Sequence, residues 1–376
     1  MCIRDSENIV VFALMANIEK LHVLKFRNLT DQYLLPNNNI NLIIGQNGQG
    51  KTNLIESIYY LGHSRSFKTI NLKDIIPFDE QQIKITALVD KQKVSIKKSR
   101  DKSLVLIDKE KISSNSLLSQ ILPIQVISPD RGFVVGGSPK LKRSYLDWGV
   151  FHNKSNEALT AYKTYKKTLK NINTLLTSGN IGELDEWFKQ FASLSVEITK
   201  GRMDYVEQLK ALLKDQSKGR LKSLIKTNDD FTFHIQTGWP KEIDSLSHVK
   251  ILEYLLKNKT NFLKTKYLSY GPHRANIEYL LNKRNESFLS RGEQKKMSIV
   301  FWMLQVLILV QNKTKPIVLI DDISSELDQS KIKSIVDYLT EINIQIFISD
   351  IGNIDLPLDP KKTTIFEIKK GVLKRL

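Results

Sequence analysis

GQNGQGKT, residues 45–52, stands between an apolar run, Ile40 to Ile44 (INLII), and a segment with helical spacing, Thr52 to Leu61. It satisfies G-x-x-x-x-G-K-[ST] at every fixed position, and strand, glycine loop and helix follow in the order a phosphate cradle requires. Gly45, Gly48 and Gly50 let the backbone curl round an anion, so that its N–H groups point at phosphate oxygens. Gln46, Asn47 and Gln49, between the glycines, belong to the same expected nucleotide-binding loop. Lys51 is expected to reach the β- and γ-phosphates and Thr52 to hold Mg²⁺ through its hydroxyl. The helix that starts there adds its positive dipole end.

Such a loop needs an acidic partner on a neighbouring strand. Residues 317–322, IVLIDD, supply an apolar strand ending in two carboxylates. Asp321 is the expected Mg²⁺ ligand, and Asp322 is placed to orient or deprotonate an attacking water. A third element narrows the class. LSRG at 289–292 precedes EQKK and the apolar helix from Met297 to Val310. In composite-site ATPases a Ser and a Gly ahead of a helix offer a hydroxyl, a backbone N–H and the helix dipole to a γ-phosphate. That phosphate sits on the opposite protomer's loop. Ser290 and Gly292 are thus expected at the nucleotide, and Ser290, Arg291 and Gly292 at a dimer interface.

Around these motifs the chain reads as mixed α/β. Ile18 to Phe26 alternates as a half-buried strand, and Ile83 to Val89, Val94 to Lys97 and Leu104 to Ile107 suggest an antiparallel patch. From Lys140 to about Lys226 apolar residues recur at three- and four-residue spacing among many lysines, which predicts a few antiparallel helices. Strand signals return at Phe231 to Gln236 and around Tyr267 to Tyr270. Helices at Glu293 to Val310 and Gln329 to Leu339 then alternate with strands at Ile317 to Ile320 and Ile344 to Ile348, so a mainly parallel sheet shared with the INLII strand is expected. The expected division places residues 15–139 and 266–376 in one ATPase lobe, with a helical lobe, 140–265, inserted between them. Residues 1–14 read as a non-native extension ahead of Met15; an intact mass that includes Met1, from the natural locus, excludes that.

The 376 residues carry 57 Lys and Arg against 40 Asp and Glu, a formal charge of +17. So large an excess favours a polyanionic partner, nucleic acid or an anionic membrane surface. No run approaches the ~18–20 apolar residues of a membrane span; Met297 to Val310 is interrupted by Gln305, and no membrane partner is expected. Cys2 is the only cysteine, which excludes an internal disulfide and a cysteine-based zinc site and points to the reducing cytoplasm. In the helical lobe Lys140, Lys142, Arg143, Lys154, Lys163, Lys166, Lys167 and Lys170 are candidate phosphate contacts giving sequence-independent, salt-sensitive DNA binding. Trp148, Tyr162 and Tyr165 interleave with them as stacking candidates. His63, Arg65 and Lys68 form a further candidate contact, to DNA or nucleotide. His273 and Arg274 lack the companions a metal site needs.

Taken together, GQNGQGKT, LSRGEQ and IVLIDDISSELD resemble the RecF family of bacterial recombination-repair ATPases, whose ABC-type head is related to the SMC proteins. GHSRSFKT (62–69), ILPIQVISPD (121–130), KRSYLDW (142–148) and YGPHR (270–274) are also similar to that family. The resemblance spans essentially everything after Met15. It implies an α/β fold, an ABC-type P-loop ATPase head (mixed sheet with flanking helices) carrying an inserted helical second lobe. It implies Gln125 as a Q-loop glutamine and Asp328 on a D-loop crossing the dimer interface. It also implies ATP with Mg²⁺ as cofactors, an ATP-dependent homodimer, gapped, single-stranded and duplex DNA as partner, RecR and RecO-type mediators, loading of the RecA recombinase, and roles in replication and the SOS response. Two departures stand out: Asp322 replaces the usual glutamate, and IQIFISDIGN offers Ser349 and Asp350 where a switch histidine often lies. Slow, DNA-stimulated hydrolysis is therefore expected, with ATP acting more as a dimerisation switch than as fuel. The alternatives are an ATP-binding DNA module without meaningful hydrolysis and an ABC-type ATPase serving another partner.

Overall fold

The computed structural model describes residues 16–112, 115–128, 132–179, 181–216, 230–322, 324, 327–352 and 358–376, without the side chains of 154–157. The expectations for residues 1–14 and for the Lys154 side chain lie outside the described residues. In chain order the elements are β1 (Ile18–Phe26), β2 (Leu29–Leu34), β3 (Ile40–Ile44), α1 (Lys51–His63), β4 (Gln82–Val89), β5 (Gln92–Ser99), β6 (Ser103–Ile107), β7 (Glu110–Lys111), α2 (Asn115–Ile121) and β8 (Ile124–Ile127). Then come α3 (Pro139–Ser178), α4 (Leu184–Gln216), β9 (Phe231–Gln236), α5 (His248–Lys257), α6 (Lys259–Thr265), β10 (Asn276–Leu281), β11 (Arg284–Asn285) and α7 (Arg291–Gln311). The last are β12 (Ile317–Asp321), α8 (Gln329–Glu341), β13 (Ile346–Asp350), β14 (Thr363–Lys369) and β15 (Val372–Arg375).

They form two units, one of residues 1–131 with 309–376 and one of residues 132–308. The first holds two six-stranded sheets. One is the antiparallel run β2-β1-β4-β5-β6-β7, which contains the expected patch. The other has the order β15-β14-β3-β13-β12-β8, parallel except for β15. Its strands read as continuous apolar runs because both faces are covered. Leu54, Ile55, Ile58 and Leu61 of α1 recur at helical spacing and are buried in one core with Leu21, Val23, Ile85 and Ile96 of the antiparallel sheet and Leu319 and Phe347 of the parallel one. Each such side chain contributes roughly 1.5–3 kcal/mol by burial, which fixes where α1 starts and thus where the glycine loop ends.

In the second unit α3 and α4, about 60 and 50 Å long at 1.5 Å per residue, pair antiparallel. Asn153 bonds Gln208 and Thr168 bonds Gln190 across the hairpin. Ser138 caps α3 by accepting from the Leu141 N–H, with Pro139 in the first turn. Ile172, Leu176, Leu184, Phe188 and Phe191 meet Ile251, Leu255 and Phe262 of α5 and α6 in one core. Three expectations change. Tyr267 to Tyr270 is loop, not strand. The inserted unit starts at 132 and ends at 308, not 140 and 265, because β9, β10, β11 and most of α7 pack with the helical hairpin. Tyr165 is buried in the core, and Tyr162 spends its hydroxyl on Asp147 at 2.6 Å. They are core residues rather than stacking platforms.

Candidate nucleotide site

The glycine loop is held from three sides. At its start the Gly45 N–H donates to the Asp350 carbonyl at the end of β13, 3.3 Å. At its end Gly50 caps α1 with φ 115, a left-handed conformation glycine adopts without cost. A Cβ there would also lie 2.9 Å from Asn28 Oδ1. Between them Gln49 is clamped. Its carbonyl accepts from the Gly371 N–H (2.9 Å) and the Asn28 amide (3.3 Å), and its Oε1 accepts from the Lys370 N–H (2.6 Å). Gln46, Asn47 and Gly48 are exposed at the tip. Lys51 is buried along its stem, and its Nζ donates to the carbonyls of Gly45 (2.7 Å) and Gln46 (3.1 Å), which fixes the ammonium against the loop.

The carboxylates stand next to it. β3, β13, β12 and β8 are neighbours in the sheet, so their carboxyl ends converge beside the start of α1, the end of an open parallel sheet where ligands bind. Thr52 Oγ1 donates to Asp321 Oδ1 at 3.1 Å. Ser349 donates to the same oxygen at 2.6 Å, and Ser128 donates to Oδ2 at 3.4 Å. Asp321 is only 2% exposed. Asp322, half-exposed with φ 50, turns out of the strand, and its N–H donates to Ser349 Oγ at 3.1 Å. Asp350 is fully buried; its carboxylate accepts from Ser324 Oγ at 2.6 Å and the Gly352 N–H at 2.7 Å. The Thr52 hydroxyl and Asp321 carboxylate are hard oxygen donors, a set that fits Mg²⁺ completed by water and phosphate.

In the other unit Ser290 precedes α7, and Ser290 with Glu293 forms a capping box. Ser290 N and Oγ both donate to Glu293 Oε2 at 2.8 Å, and the Glu293 N–H returns to Ser290 Oγ at 3.3 Å. Ser290, Arg291 and Gly292 are exposed, and nothing lies within 4 Å of where a Gly292 side chain would be. The helix end is thus open to an anion. Gln294 stiffens the turn behind it by donating to the carbonyls of Glu286 (3.1 Å) and Leu289 (3.3 Å). Asp328 is the exposed N-cap of α8. Hydrogen bonds from Lys331 and Ser330 hold its carboxyl well below the usual carboxylate range.

Several expected contacts are corrected. Lys142 is only 3% exposed; its ammonium pairs with Glu286 and donates to the Ile277 carbonyl at 2.8 Å, so it cannot offer a charge to DNA. Arg143 is half-buried and donates to the Ala275 carbonyl at 2.8 Å. Lys140, Lys163, Lys166, Lys167 and Lys170 are exposed, the last four at the spacing of one face of α3. His63 is buried and stacked on Tyr59 at 4.0 Å, which removes it as a ligand contact. Gln125 is buried in β8 opposite Val318, three residues short of the level of Asp321. At about 3.3 Å per residue that is roughly 10 Å from the site; Ser128, the residue after the strand, is the one that reaches it. Sequence reasoning missed Ser128, Asn28 and the Lys370–Gly371 turn, and mentioned Ser349 and Asp350 only as substitutes for a histidine.

A glycine loop between strand and helix, with paired aspartates on the next strand but one, defines a P-loop nucleotide-binding head of the ABC type. The sequence profile of the RecF/RecN/SMC N terminal domain matches residues 17–357. The protein named DNA replication and repair protein RecF in Shewanella denitrificans is 32% identical, over 89% of this chain and 92% of that protein. Its namesake in Pseudoalteromonas translucida is also 32% identical, over 95% and 99%. The solved recombination mediator protein RecF-ATP of the RecFOR pathway matches with TM-score 0.84 and 26% identity, over 96% of this chain and 98% of that one. An Smc head domain from Pyrococcus furiosus shares the fold, with TM-score 0.55 and 15% identity. The chain belongs to the RecF family.

Proposed function

We propose that this chain is a cytoplasmic, ATP-dependent DNA-binding protein of replication and recombinational repair. Two copies close on ATP over gapped or single-strand-containing duplex, hydrolyse it slowly, and act with RecR and RecO-type mediators in recombinase loading and the SOS response. The observation that carries this reading is the hydrogen-bonded set Thr52–Asp321–Ser349–Asp322 beside the P-loop. In it the loop N–H groups and Lys51 bind the phosphate oxygens, and Thr52 and Asp321 hold Mg²⁺, which neutralises charge on the phosphates when bound. Asp322 takes the proton of the attacking water. Ser290, Arg291 and Gly292 of one copy face the γ-phosphate held by the other, with Asp328 at the same interface. Asp322 is one methylene shorter than glutamate and the switch position holds Ser349, so turnover is slow and bound ATP acts as the switch. Exposed Lys140, Lys163, Lys166 and Lys167 contact DNA phosphates.

The test is binding to gapped duplex across a salt series with ATP or ADP, with Lys51→Ala as control. ATP is expected to tighten binding in the wild type and to do nothing in the variant. Binding indifferent to nucleotide overturns the clamp. Asp322→Asn is expected to trap the ATP dimer, which sedimentation reads directly; a variant that assembles and dissociates like wild type means ATP is not being hydrolysed to any purpose.

A further inference from the structure

The YGPHR segment, 270–274, belongs to the 132–308 unit. His273 is structural: its Nδ1 meets the Tyr165 hydroxyl at 2.9 Å and its Nε2 the Leu268 carbonyl at 3.0 Å. The residues around it instead wall a cleft of about 550 Å³ between the 238–242 and 267–274 loops, lined by Trp239, Lys241, Glu242, Tyr267, Tyr270 and Arg274. The two loops are fastened glycine to glycine. The Gly271 N–H donates to the Gly238 carbonyl at 2.9 Å, and a Cβ on Gly238 would lie 2.2 Å from the Gly271 oxygen. No larger residue permits that approach, so the cleft is a fixed feature.

Its chemistry is aromatic and cationic. Tyr267 is 45% and Tyr270 37% exposed. The Arg274 guanidinium lies 5.6 Å from the Tyr267 ring centre. Tyr270 stands edge-on to Tyr254 at 5.4 Å, Tyr254 to Trp239 at 6.2 Å and Trp239 to Phe191 at 6.3 Å, a ladder of rings from core to surface. Trp239 is 8% exposed and closes the inner wall of the cleft. Glu242 is the one carboxylate in the lining, an acceptor suited to a base N–H rather than to phosphate.

We propose that this cleft binds an unpaired nucleobase of single-stranded DNA, stacked on Tyr267 or Tyr270, with Arg274 and Lys241 on the flanking phosphates. Exposed rings beside cations on a chain of charge +17 match the sequence-tolerant stacking by which single strands are held, whereas a paired base keeps its faces inside the duplex. The proposal rests on the DNA-binding reading above and names the strand state that it selects.

The test uses the full chain with ATP and Mg²⁺, a labelled oligo-dT strand and a blunt duplex of the same length, comparing wild type, Tyr267→Leu, Tyr270→Leu and both Tyr→Phe controls. At least one Leu variant is expected to lose roughly tenfold in single-strand affinity, with duplex affinity within about twofold and the Phe variants near wild type. A strand carrying 5-iododeoxyuridine is expected to cross-link at Tyr267, Tyr270 or Trp239. If single-strand affinity is unchanged and the cross-links map elsewhere, the cleft takes another occupant, such as an acidic protein segment, and the inference fails while DNA binding stands. Equal losses on both DNAs also overturn it. A wild type that binds neither DNA overturns the DNA-binding reading itself.

Discussion

Ser349 shows how much one hydroxyl can organise. It donates to the Asp321 carboxylate and accepts the Asp322 N–H, so it fixes both the residue that would hold the metal and the backbone that aims the candidate base. Ser349→Ala is expected to retain nucleotide binding, because Lys51 and the loop are untouched, and to lower hydrolysis about 10–100-fold, the usual cost of an outer-shell partner. Steady-state phosphate release beside fluorescent-ATP affinity separates the two. Equal loss of both would assign Ser349 to the fold instead. At this scale the sequence was most legible where a motif is contiguous: glycines, lysine and threonine follow one another in 45–52 and need no tertiary information. Ser349 and Ser128 reach Asp321 only because parallel strands align their carboxyl ends, and a serine at a strand end carries no pattern of its own. Gln125 was misplaced for the same reason. Its spacing along the chain was visible, but its register against Val318 was not.

Elements explain the fate of the lysines. A run of basic residues on α3 looks uniform in sequence, yet the helix has an inside. Ala161, Tyr165, Thr168, Ile172 and Leu176 are buried while Lys163, Lys166, Lys167 and Lys170 are exposed. Lys142 falls on the buried face and finds Glu286, 144 positions along the chain. That carboxylate also accepts the Gly136 N–H at 2.6 Å, so the pair ties the start of α3 to the turn ahead of α7. Lys142→Ala leaves a buried charge unpaired and is expected to cost about 3–5 kcal/mol, read as a lower midpoint in urea. Lys163→Gln with Lys167→Gln is expected to spare stability and flatten the salt dependence of DNA binding by roughly one logarithmic slope unit per lost contact. A flattened salt slope in Lys142→Ala, with unchanged stability, would return that residue to the DNA surface.

For the whole molecule, acid is the informative variable. Burial lowers the pKa of His152 to about 3, and burial, together with the neighbouring Arg274, Arg143 and Arg202, lowers that of His273 to about 4. The unfolded chain protonates its histidines near 6.5, so between about pH 6.5 and 4 it binds more protons than the folded one. Stability is therefore fully present above pH 6.5 and declines as pH falls through that window. Thermal midpoints across the range should show the slope, and His273→Asn should reduce it; a slope unaltered in that variant would place the sensitivity elsewhere. Division into two units was legible from the shift to lysine-rich helical spacing. Its borders were not, because β9, β10 and α7 join the helical hairpin through packing among residues far apart in sequence.

The clamp on Gln49 has a consequence in time. Its partner Lys370 lies 321 positions further along the chain, and β3 likewise pairs only with β13 and β14. At a synthesis rate of about 5–20 residues per second, the phosphate loop leaves the ribosome tens of seconds before the strands that brace it exist. The 132–308 unit is continuous in sequence and needs no such wait. The phosphate loop therefore cannot take up the bracing described above until residues 346–371 have been made.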